Sequence, residues 1–277
     1  MKYNLLLDVL LDFDPTTTQS GLDDFYFLMI IVALMGVLVF VALYFIDAGY
    51  GKMISSKWGP AINNKLGWMI MELPVFVIMI YYWGISPYRF EPVMLAFFLI
   101  FETHYFQRVF IFPCLMRGNS KMPIIIVTMS MVFNIINGYI QGKWLFHYAR
   151  FANPDCYPDS WFLSWQFILG LCIFVVGFII NLHSDHVIRH LRKPGDTKHY
   201  LPKQGMYKYV TSANYFGEIV EWLGWAILTW SWAGLTFFWF TCANLVPRAN
   251  AIYHKYEVEF ADEFDRKKLK RVFPFIY

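Results

Sequence analysis

The chain has 277 residues, of which 58% are hydrophobic and only 16% are charged, and its net charge is +3. A typical soluble domain is about 45–50% apolar and about 25% charged, so this composition favours a protein embedded in a membrane. Because the small positive charge is confined to particular loops, it indicates membrane topology and excludes nucleic acid as a predicted partner. The four cysteines and seven histidines show no metal-ligand spacing, so no metal site is predicted.

Seven apolar segments are predicted to cross the membrane, each close to the 20 or so residues that a helical crossing needs. They are residues 25–46, 66–83, 92–115, 122–140, 161–182 and the two halves of 213–246. The last stretch is too long for one crossing of a core about 30 Å thick, so we predict a break near Ser231. The predicted fold is therefore all-α.

Lysine and arginine counts set the orientation, because cytoplasmic loops hold the excess of these residues. The loops after spans 1, 3 and 5 and the C-terminal tail hold 3, 2, 6 and 7, against 1, 1, 2 and 0 for the N-terminus and the loops after spans 2, 4 and 6. We predict an outside N-terminus, a cytoplasmic C-terminus and an amphipathic helix after Arg248 that ends at Pro274. No repeat or linker divides the chain, so 1–277 is predicted to be one domain.

Ionisable residues inside the second and third spans are candidate functional residues, because a charge at bilayer depth is costly. Glu72 lies in the middle of span 2, two residues before Pro74. Span 3 contains Glu102, His104, Tyr105 and Arg108, and the spacing places His104 and Tyr105 near Arg108 on one helical face. The alternative is structural: Glu72 would pair with a basic residue for assembly, and the span 3 residues would form a network between helices.

A polar stripe lies at the cytoplasmic end of span 5. Asn181, Asp185, Arg189 and Arg192 recur at helical spacing. Arginine suits phosphate because its guanidinium is a planar fork of donors, and Asn or Asp can hold ribose hydroxyls or an amide. A positive-inside flank would explain Arg192 but not Asn181 or Asp185. The stripe therefore predicts an anionic cofactor at the cytoplasmic ends of the helices.

A second polar group opens span 6. Asn214 and Glu218 lie four residues apart on one face, and Gly217 allows a close approach to the backbone. Arg248 and the segment 253–256 return positive charge and aromatic rings to the same side of the membrane. The chain has neither the GxGxxG nor the P-loop pattern of soluble nucleotide-binding folds, so a bound nucleotide is expected between membrane helices.

At these residues the sequence resembles the steroid 5-alpha-reductase family, which uses NADPH. The closest similarity is in NLHSDHVIRHLRKPGDTKHYLPKQGMYKYVTSANYFGEIVEW, residues 181–222, and in the final PFIY. A thinner similarity includes Tyr50-Gly51-Lys52, Glu72-Leu73-Pro74 and the segment 104–108, so the resemblance covers about residues 45–277.

The resemblance implies a seven-helix membrane enzyme that reduces the 4,5 double bond of 3-oxo-4-ene steroids to 5-alpha-3-oxosteroids. Glu72 and Tyr105 would bind the substrate ketone, with the substrate pocket mainly from 25–140 and the cofactor part mainly from 181–277. The residues expected to hold NADPH are Tyr50, Asn181, Asp185, Arg192, Tyr200, Asn214, Glu218, Arg248, His254 and Tyr256. The sequence departs from the family pattern at Met71, where a glutamine is expected, and at Asn119 and Tyr200, where arginines are expected.

Other functions share parts of this pattern. A related membrane sterol, polyprenol or enoyl reductase, or an isoprenylcysteine-type methyltransferase, would have a similar C-terminal region. A seven-helix receptor or transporter would fit the composition, but the polar stripe on the cytoplasmic side disfavours both. The expected partners are a steroid or sterol-like enone and membrane lipids, with no required protein partner. The membrane would be the endoplasmic reticulum in a eukaryote or the cytoplasmic membrane in a bacterium, and we favour a bacterial or otherwise divergent member of the family.

Overall fold

Long apolar helices dominate the computed structural model, which describes residues 18–46, 58–118, 120–193, 196 and 198–277. Five helical spans in this part of the chain are long and apolar enough to cross a membrane: Gln19–Phe45, Asn64–Ile85, Pro92–Leu115, Ile124–Ala152 and Trp165–His190. Each overlaps a span predicted from the sequence. The chain is therefore a multi-pass membrane protein and mostly helical, as predicted.

The helices follow one another in a simple order. They are α1 (Gln19–Phe45), α2 (Asn64–Ile85), α3 (Pro92–Phe106), α4 (Phe112–Leu115), α5 (Ile124–Lys143), α6 (Ala149–Ala152), α7 (Trp165–His190), α8 (Ala213–Thr229) and α9 (Trp232–Glu259). Two π-helical turns, Gln107–Ile111 and Trp144–Tyr148, join α3 to α4 and α5 to α6 without ending the spans. Short 3₁₀ helices occupy Asp159–Leu163 and Gly205–Lys208.

A small antiparallel sheet, which the prediction did not include, accompanies the helices. Strands β1 (Ala61–Asn63) and β2 (Lys121–Pro123) pair directly before α2 and α5. The side chain of Asn63 then caps α2, accepting a hydrogen bond from the backbone N–H of Lys65 at 2.9 Å. Short extended segments that lead into two neighbouring helices satisfy the hydrogen bonds of their backbone groups by pairing with each other. The apolar pattern of the spans does not indicate this pairing.

The predicted break near Ser231 is confirmed. Helix α8 ends at Thr229, Trp230 has the left-handed φ of 44°, and the Ser231 hydroxyl accepts a hydrogen bond from the backbone N–H of Gly234 at 3.0 Å. This side-chain cap marks the start of α9. Neither α8 nor α9 is among the five spans above, so the total of seven crossings stays a prediction.

The predicted tail helix is confirmed for residues 249–259 but is wrong in where it begins and ends. Helix α9 continues through Arg248 and ends at Glu259, well before Pro274. The remaining residues return to the segment before α8, where Thr211 and Ser212 donate backbone hydrogen bonds to the carbonyls of Lys270 and Arg271 at 2.9 and 3.2 Å. Backbone pairing with a distant segment thus replaces the helix that the local sequence favours.

Two compact units divide the chain. One comprises Met1–Val32 and Gly49–Ser164, and the other comprises Ala33–Ala48 and Trp165–Tyr277. In the first unit α2 packs against α5, and in the second α7 packs against α8, which also contacts α9. A division by contacts does not address function, so the single functional domain stays a prediction.

Four glycines bring α7 and α8 into backbone contact. A Cβ atom on Gly170 or Gly177 would lie 2.4 or 2.2 Å from the backbone nitrogen of Leu228 or Glu221 of α8. Likewise, a Cβ on Gly217 or Gly224 would lie 2.5 or 2.3 Å from a backbone nitrogen of α7. Both glycine pairs are spaced by seven residues, so they form one continuous stripe on each helix. Small residues at such interfaces let membrane helices approach closely.

Replacing Gly177 with alanine is expected to destabilise the second unit. The new Cβ has no room beside the α8 backbone, and overpacking of this kind destabilises by about 1–3 kcal/mol. The matched control is Gly84→Ala on α2, where a Cβ meets nothing within 4 Å. Thermal unfolding in detergent should show a lower midpoint for Gly177→Ala and an unchanged or higher one for Gly84→Ala. Equal midpoints would contradict the close-packing account.

Candidate active site

Glu72 of α2 is held by an amide of α5. The Asn134 Nδ2 atom donates to Glu72 Oε2 at 3.1 Å and to the backbone carbonyl of Met71 at 2.6 Å. A backbone carbonyl can only accept, so this contact fixes which end of the Asn134 amide faces α2. Glu72 is half-buried and Asn134 is buried, and the carboxyl group is therefore held in a defined place within the first unit.

Helix α5 also holds Tyr105 of α3, through a side chain one turn after Asn134. The Asn137 Nδ2 atom donates to the Tyr105 hydroxyl at 3.3 Å, and Gln141 Nε2 donates to Asn137 Oδ1 at 3.4 Å. Tyr105 is only 3% exposed, and its ring contacts those of Phe101 and His104 at centroid distances of 4.8 and 5.0 Å. The two residues expected to bind a ketone thus contact neighbouring side chains of α5.

Sequence reasoning missed the amide row, the buried Asn134, Asn137 and Gln141 of α5. These residues lie at i, i+3 and i+7, which places them on one helical face. The signal was visible in the sequence as three amides at helical spacing within an apolar span. A search restricted to ionisable residues passes over them because amides carry no charge.

The other polar residues of the third span have different surroundings. The Arg108 guanidinium lies over the rings of Trp68 and Phe112, at 5.3 and 5.0 Å from their centroids. Glu102 is 7% exposed, and within the described residues neither of its carboxylate oxygens has a hydrogen-bond partner. Arg108 thus stacks on aromatic rings, and Tyr105 contacts the amide row.

In the second unit the structure brings together three predicted cofactor residues. Asn181 Nδ2 of α7 donates to the backbone carbonyl of Asn214 at 3.0 Å, and Asn214 Nδ2 donates to Asp185 Oδ1 at 3.5 Å. Gly217 contributes to this arrangement, because its missing side chain lets the Asn181 backbone approach α8. The close approach expected at Gly217 is thus made by helix α7.

Tyr207 joins this group and was not predicted. Its hydroxyl donates to Asn214 Oδ1 at 3.4 Å. Burial, and then the nearby Asp185, raise the pKa of Tyr207 well above its ordinary value, so it remains a protonated donor at neutral pH. A tyrosine in a loop carries no distinctive spacing, so the sequence alone gave no signal for this contact.

The predicted stripe is only partly helical. Asn181, Asp185 and Arg189 lie on α7, but α7 ends at His190 and Arg192 is an exposed residue beyond it. A turn from the Ile188 carbonyl to the Leu191 N–H closes the helix. A proline at position 194 disfavours helical backbone geometry at Lys193, and this limits how far α7 can extend toward Arg192 and beyond.

Two more predicted residues lie on α8 and α9. Arg248 Nη2 donates to the Tyr215 hydroxyl at 2.8 Å, and its guanidinium lies 5.1 Å from the centre of that ring. Glu218 is half-buried, one helical turn after Asn214. Arg248 thus bonds to Tyr215, the residue directly after Asn214.

The remaining predicted residues are dispersed. Tyr200 is exposed and lines an open cleft of about 370 Å³ with His186, His190 and Lys203, and its hydroxyl donates to Asp196 at 2.8 Å. His254 is exposed, with its Nδ1 atom 3.3 Å from Glu257 Oε2, whereas Tyr256 is buried against Leu201 and Leu269. Tyr50 and Asn119 lie outside the described residues.

The residues around α7 fit an anionic, hydroxyl-bearing cofactor. Among the described residues, Arg189 Nη1, Ser184 Oγ and Ser212 Oγ are buried atoms without a hydrogen-bond partner. A buried guanidinium nitrogen and two hydroxyls are suitable partners for phosphate or ribose oxygens. Asn181, Ser184, Asp185 and Arg189 share α7, so amide, hydroxyl, carboxyl and guanidinium groups occur within little more than two turns of one helix.

Comparison with known proteins identifies the family. A family model described as 3-oxo-5-alpha-steroid 4-dehydrogenase matches residues 120–277. A steroid 5-alpha-reductase DET2 from Gossypium hirsutum is 36% identical over 257 residues, which cover 91% of this chain and 97% of that protein. The DET2 of Arabidopsis thaliana is 37% identical over 243 residues, covering 86% and 90%.

An animal relative gives the same result. The human 3-oxo-5-alpha-steroid 4-dehydrogenase 1 is 36% identical over 233 residues, which cover 82% of this chain and 86% of that protein. Family model and relatives agree with the resemblance seen in the sequence motifs. The chain belongs to the 3-oxo-5-alpha-steroid 4-dehydrogenase family and is an oxidoreductase that acts on CH–CH bonds.

Proposed function

We propose that the chain reduces the 4,5 double bond of 3-oxo-4-ene steroids to 5-alpha-3-oxosteroids with NADPH as the reductant. The observation that carries this proposal is the pair Glu72 and Tyr105. They come from different helices, and Asn134 and Asn137 hold them one turn apart on α5. A carboxyl and a phenol fixed in an apolar surrounding are suited to bind one ketone oxygen.

Such a pair suits the chemistry of enone reduction. NADPH, when bound, would supply the hydride that adds to C5 of the steroid. Addition at the β carbon of an enone moves negative charge onto the ketone oxygen, which then needs hydrogen-bond donors, until C4 takes up a proton from water and the saturated ketone forms. The Tyr105 hydroxyl donates to that oxygen, and Glu72 in its neutral form supplies a second donor or orients the first. Apolar walls strengthen both interactions and accommodate the steroid skeleton.

The cofactor part of the proposal lies in the second unit, apart from Tyr50. We assign NADPH binding to Tyr50, Asn181, Asp185, Arg192, Tyr200, Asn214, Glu218, Arg248, His254 and Tyr256. The hydrogen bonds among Asn181, Asp185 and Asn214 support the core of this assignment. Among the described residues, the buried Nη1 atom of Arg189 has no hydrogen-bond partner. This supports the binding of an anion near Arg189.

The topology proposal adds α8 and α9 to the five apolar spans. Seven crossings with an outside N-terminus place the basic loops on the cytoplasmic side. The whole chain then acts as one reductase domain, with the substrate part in 25–140 and the cofactor part in 181–277. The host membrane is the endoplasmic reticulum in a eukaryote and the cytoplasmic membrane in a bacterium.

Removing either ketone-binding group should slow reduction strongly without loss of the cofactor. For Glu72→Gln and Tyr105→Phe we expect turnover of progesterone or testosterone to fall about 10²–10³-fold, the usual effect of losing one preorganised donor. Activity is followed by NADPH oxidation, and product mass should show a gain of two hydrogens in the wild type.

The control is Tyr81→Phe, which alters an exposed tyrosine of α2 and should retain full activity. NADPH binding should be the same in all four proteins. A wild type that binds NADPH but leaves every 3-oxosteroid unchanged would contradict the substrate assignment.

The Asn214 side chain should matter for the cofactor. Asn214→Ala removes the contacts with Asp185 and Tyr207 but keeps the backbone carbonyl that Asn181 uses, so the helix packing is preserved. We expect the Kd for NADPH to rise about tenfold or more, the equivalent of one charge-assisted hydrogen bond. Nicotinamide fluorescence of detergent-solubilised protein measures the Kd, with Asn153→Ala, an exposed loop change, as control. An unchanged Kd would remove Asn214 from the assignment.

A further inference from the structure

We propose that Asn137 and Gln141 are positioning residues that orient the Tyr105 hydroxyl so that its proton points to the substrate ketone. This inference rests on the proposed function, because it assigns a role to side chains behind one of the ketone-binding groups. It is carried by the direction of the hydrogen bonds from Gln141 through Asn137 to Tyr105.

Burial makes the amide row significant. Asn137 and Gln141 are 3% and 1% exposed, on a helix that is long and apolar enough to cross a membrane. Burying an amide without partners costs a few kcal/mol, so buried amides occur where their hydrogen bonds are made. Here the bonds lead from Gln141 to Asn137 and then to Tyr105 on another helix, so these three residues form a connected network.

The direction of the network follows from the chemistry of an amide. Gln141 Nε2 donates to Asn137 Oδ1, so the NH₂ group of Asn137 is the end that faces Tyr105. A tyrosine hydroxyl has one proton and two acceptor positions. Donation from Asn137 occupies one acceptor position of the Tyr105 hydroxyl and does not use its proton. Asn137 and Gln141 therefore favour the rotamer in which Tyr105 donates its proton, and in the proposal the acceptor is the substrate ketone.

The same direction favours the transition state. As negative charge grows on the ketone oxygen, the Tyr105 proton is drawn toward it and charge increases on the phenol oxygen. The N–H of Asn137 points at that oxygen and stabilises the charge, and donation from Gln141 polarises Asn137 further. These gains are larger in the transition state than with bound substrate, so loss of the row should lower kcat more than it raises KM.

Two substitutions at Asn137 separate orientation from packing. Asn137→Leu removes the donor, whereas Asn137→Asp replaces the donor with an oxygen that captures the Tyr105 proton. We expect kcat to fall about tenfold for Asn137→Leu and about a hundredfold or more for Asn137→Asp, with KM changed about twofold at most. Equal losses in the two variants, or losses confined to KM, would overturn the proposal.

A double-mutant cycle tests whether the effect passes through Tyr105. In the Tyr105→Phe background, Asn137→Leu should cost almost nothing further in kcat, because there is no hydroxyl to orient. An additive loss would show a structural role and overturn the proposal. Gln141→Met, which leaves Asn137 in place, should lower kcat several-fold at unchanged KM, and it carries the test if the Asn137 variants do not fold. Undiminished kcat in a folded Gln141→Met would count against the proposal.

The wild type and Tyr105→Phe report separately on the proposed function. If the wild type reduces a 3-oxo-4-ene steroid and Tyr105→Phe does not, the function stands whatever the Asn137 variants do. If the wild type leaves the steroid unchanged, the proposed function fails first.

Discussion

Burying a polar side chain in an apolar helix is costly unless it forms a hydrogen bond, and bonds of this kind between helices organise both parts of the candidate site. In the first unit Asn134 and Asn137 of α5 hold Glu72 of α2 and Tyr105 of α3. Each contact satisfies a buried polar group and fixes one helix against another. Residues that the proposed chemistry needs are thus also residues that determine how the helices pack.

In the second unit the polar side chains find partners because the backbones of α7 and α8 approach each other closely. Glycine stripes on α7 and α8 bring the two backbones into contact, and only at that separation does the Asn181 side chain reach the carbonyl of Asn214. The cleft with Tyr200 and the turn after His190 lie outside this close contact. Close helix packing therefore positions the amide and carboxyl groups, while Arg192 and Tyr200 belong to exposed segments.

The sequence predicted what depends on local composition and missed what depends on distant contacts. The break near Ser231 followed from the length of an apolar stretch, and Glu72 and Tyr105 stood out as polar groups at membrane depth. The end of α9 at Glu259 could not be predicted, since the tail pairs with Thr211 and Ser212 far away in sequence. The amide row was missed for another reason: its amides carry no charge and lie within an apolar span, with no charged residue at helical spacing to mark them as Asp185 and Glu218 mark Asn181 and Asn214.

The account depends on one chemical event, the reduction of an enone held by Glu72 and Tyr105. The most direct measurement is transfer of label from NADPH that is deuterated at the transferable position of its nicotinamide ring, using the purified wild type and a 3-oxo-4-ene steroid. The account predicts a saturated 3-oxosteroid with one deuterium at C5 in the alpha configuration. A product labelled elsewhere, or a cofactor that binds and is never consumed with any such steroid, would contradict it.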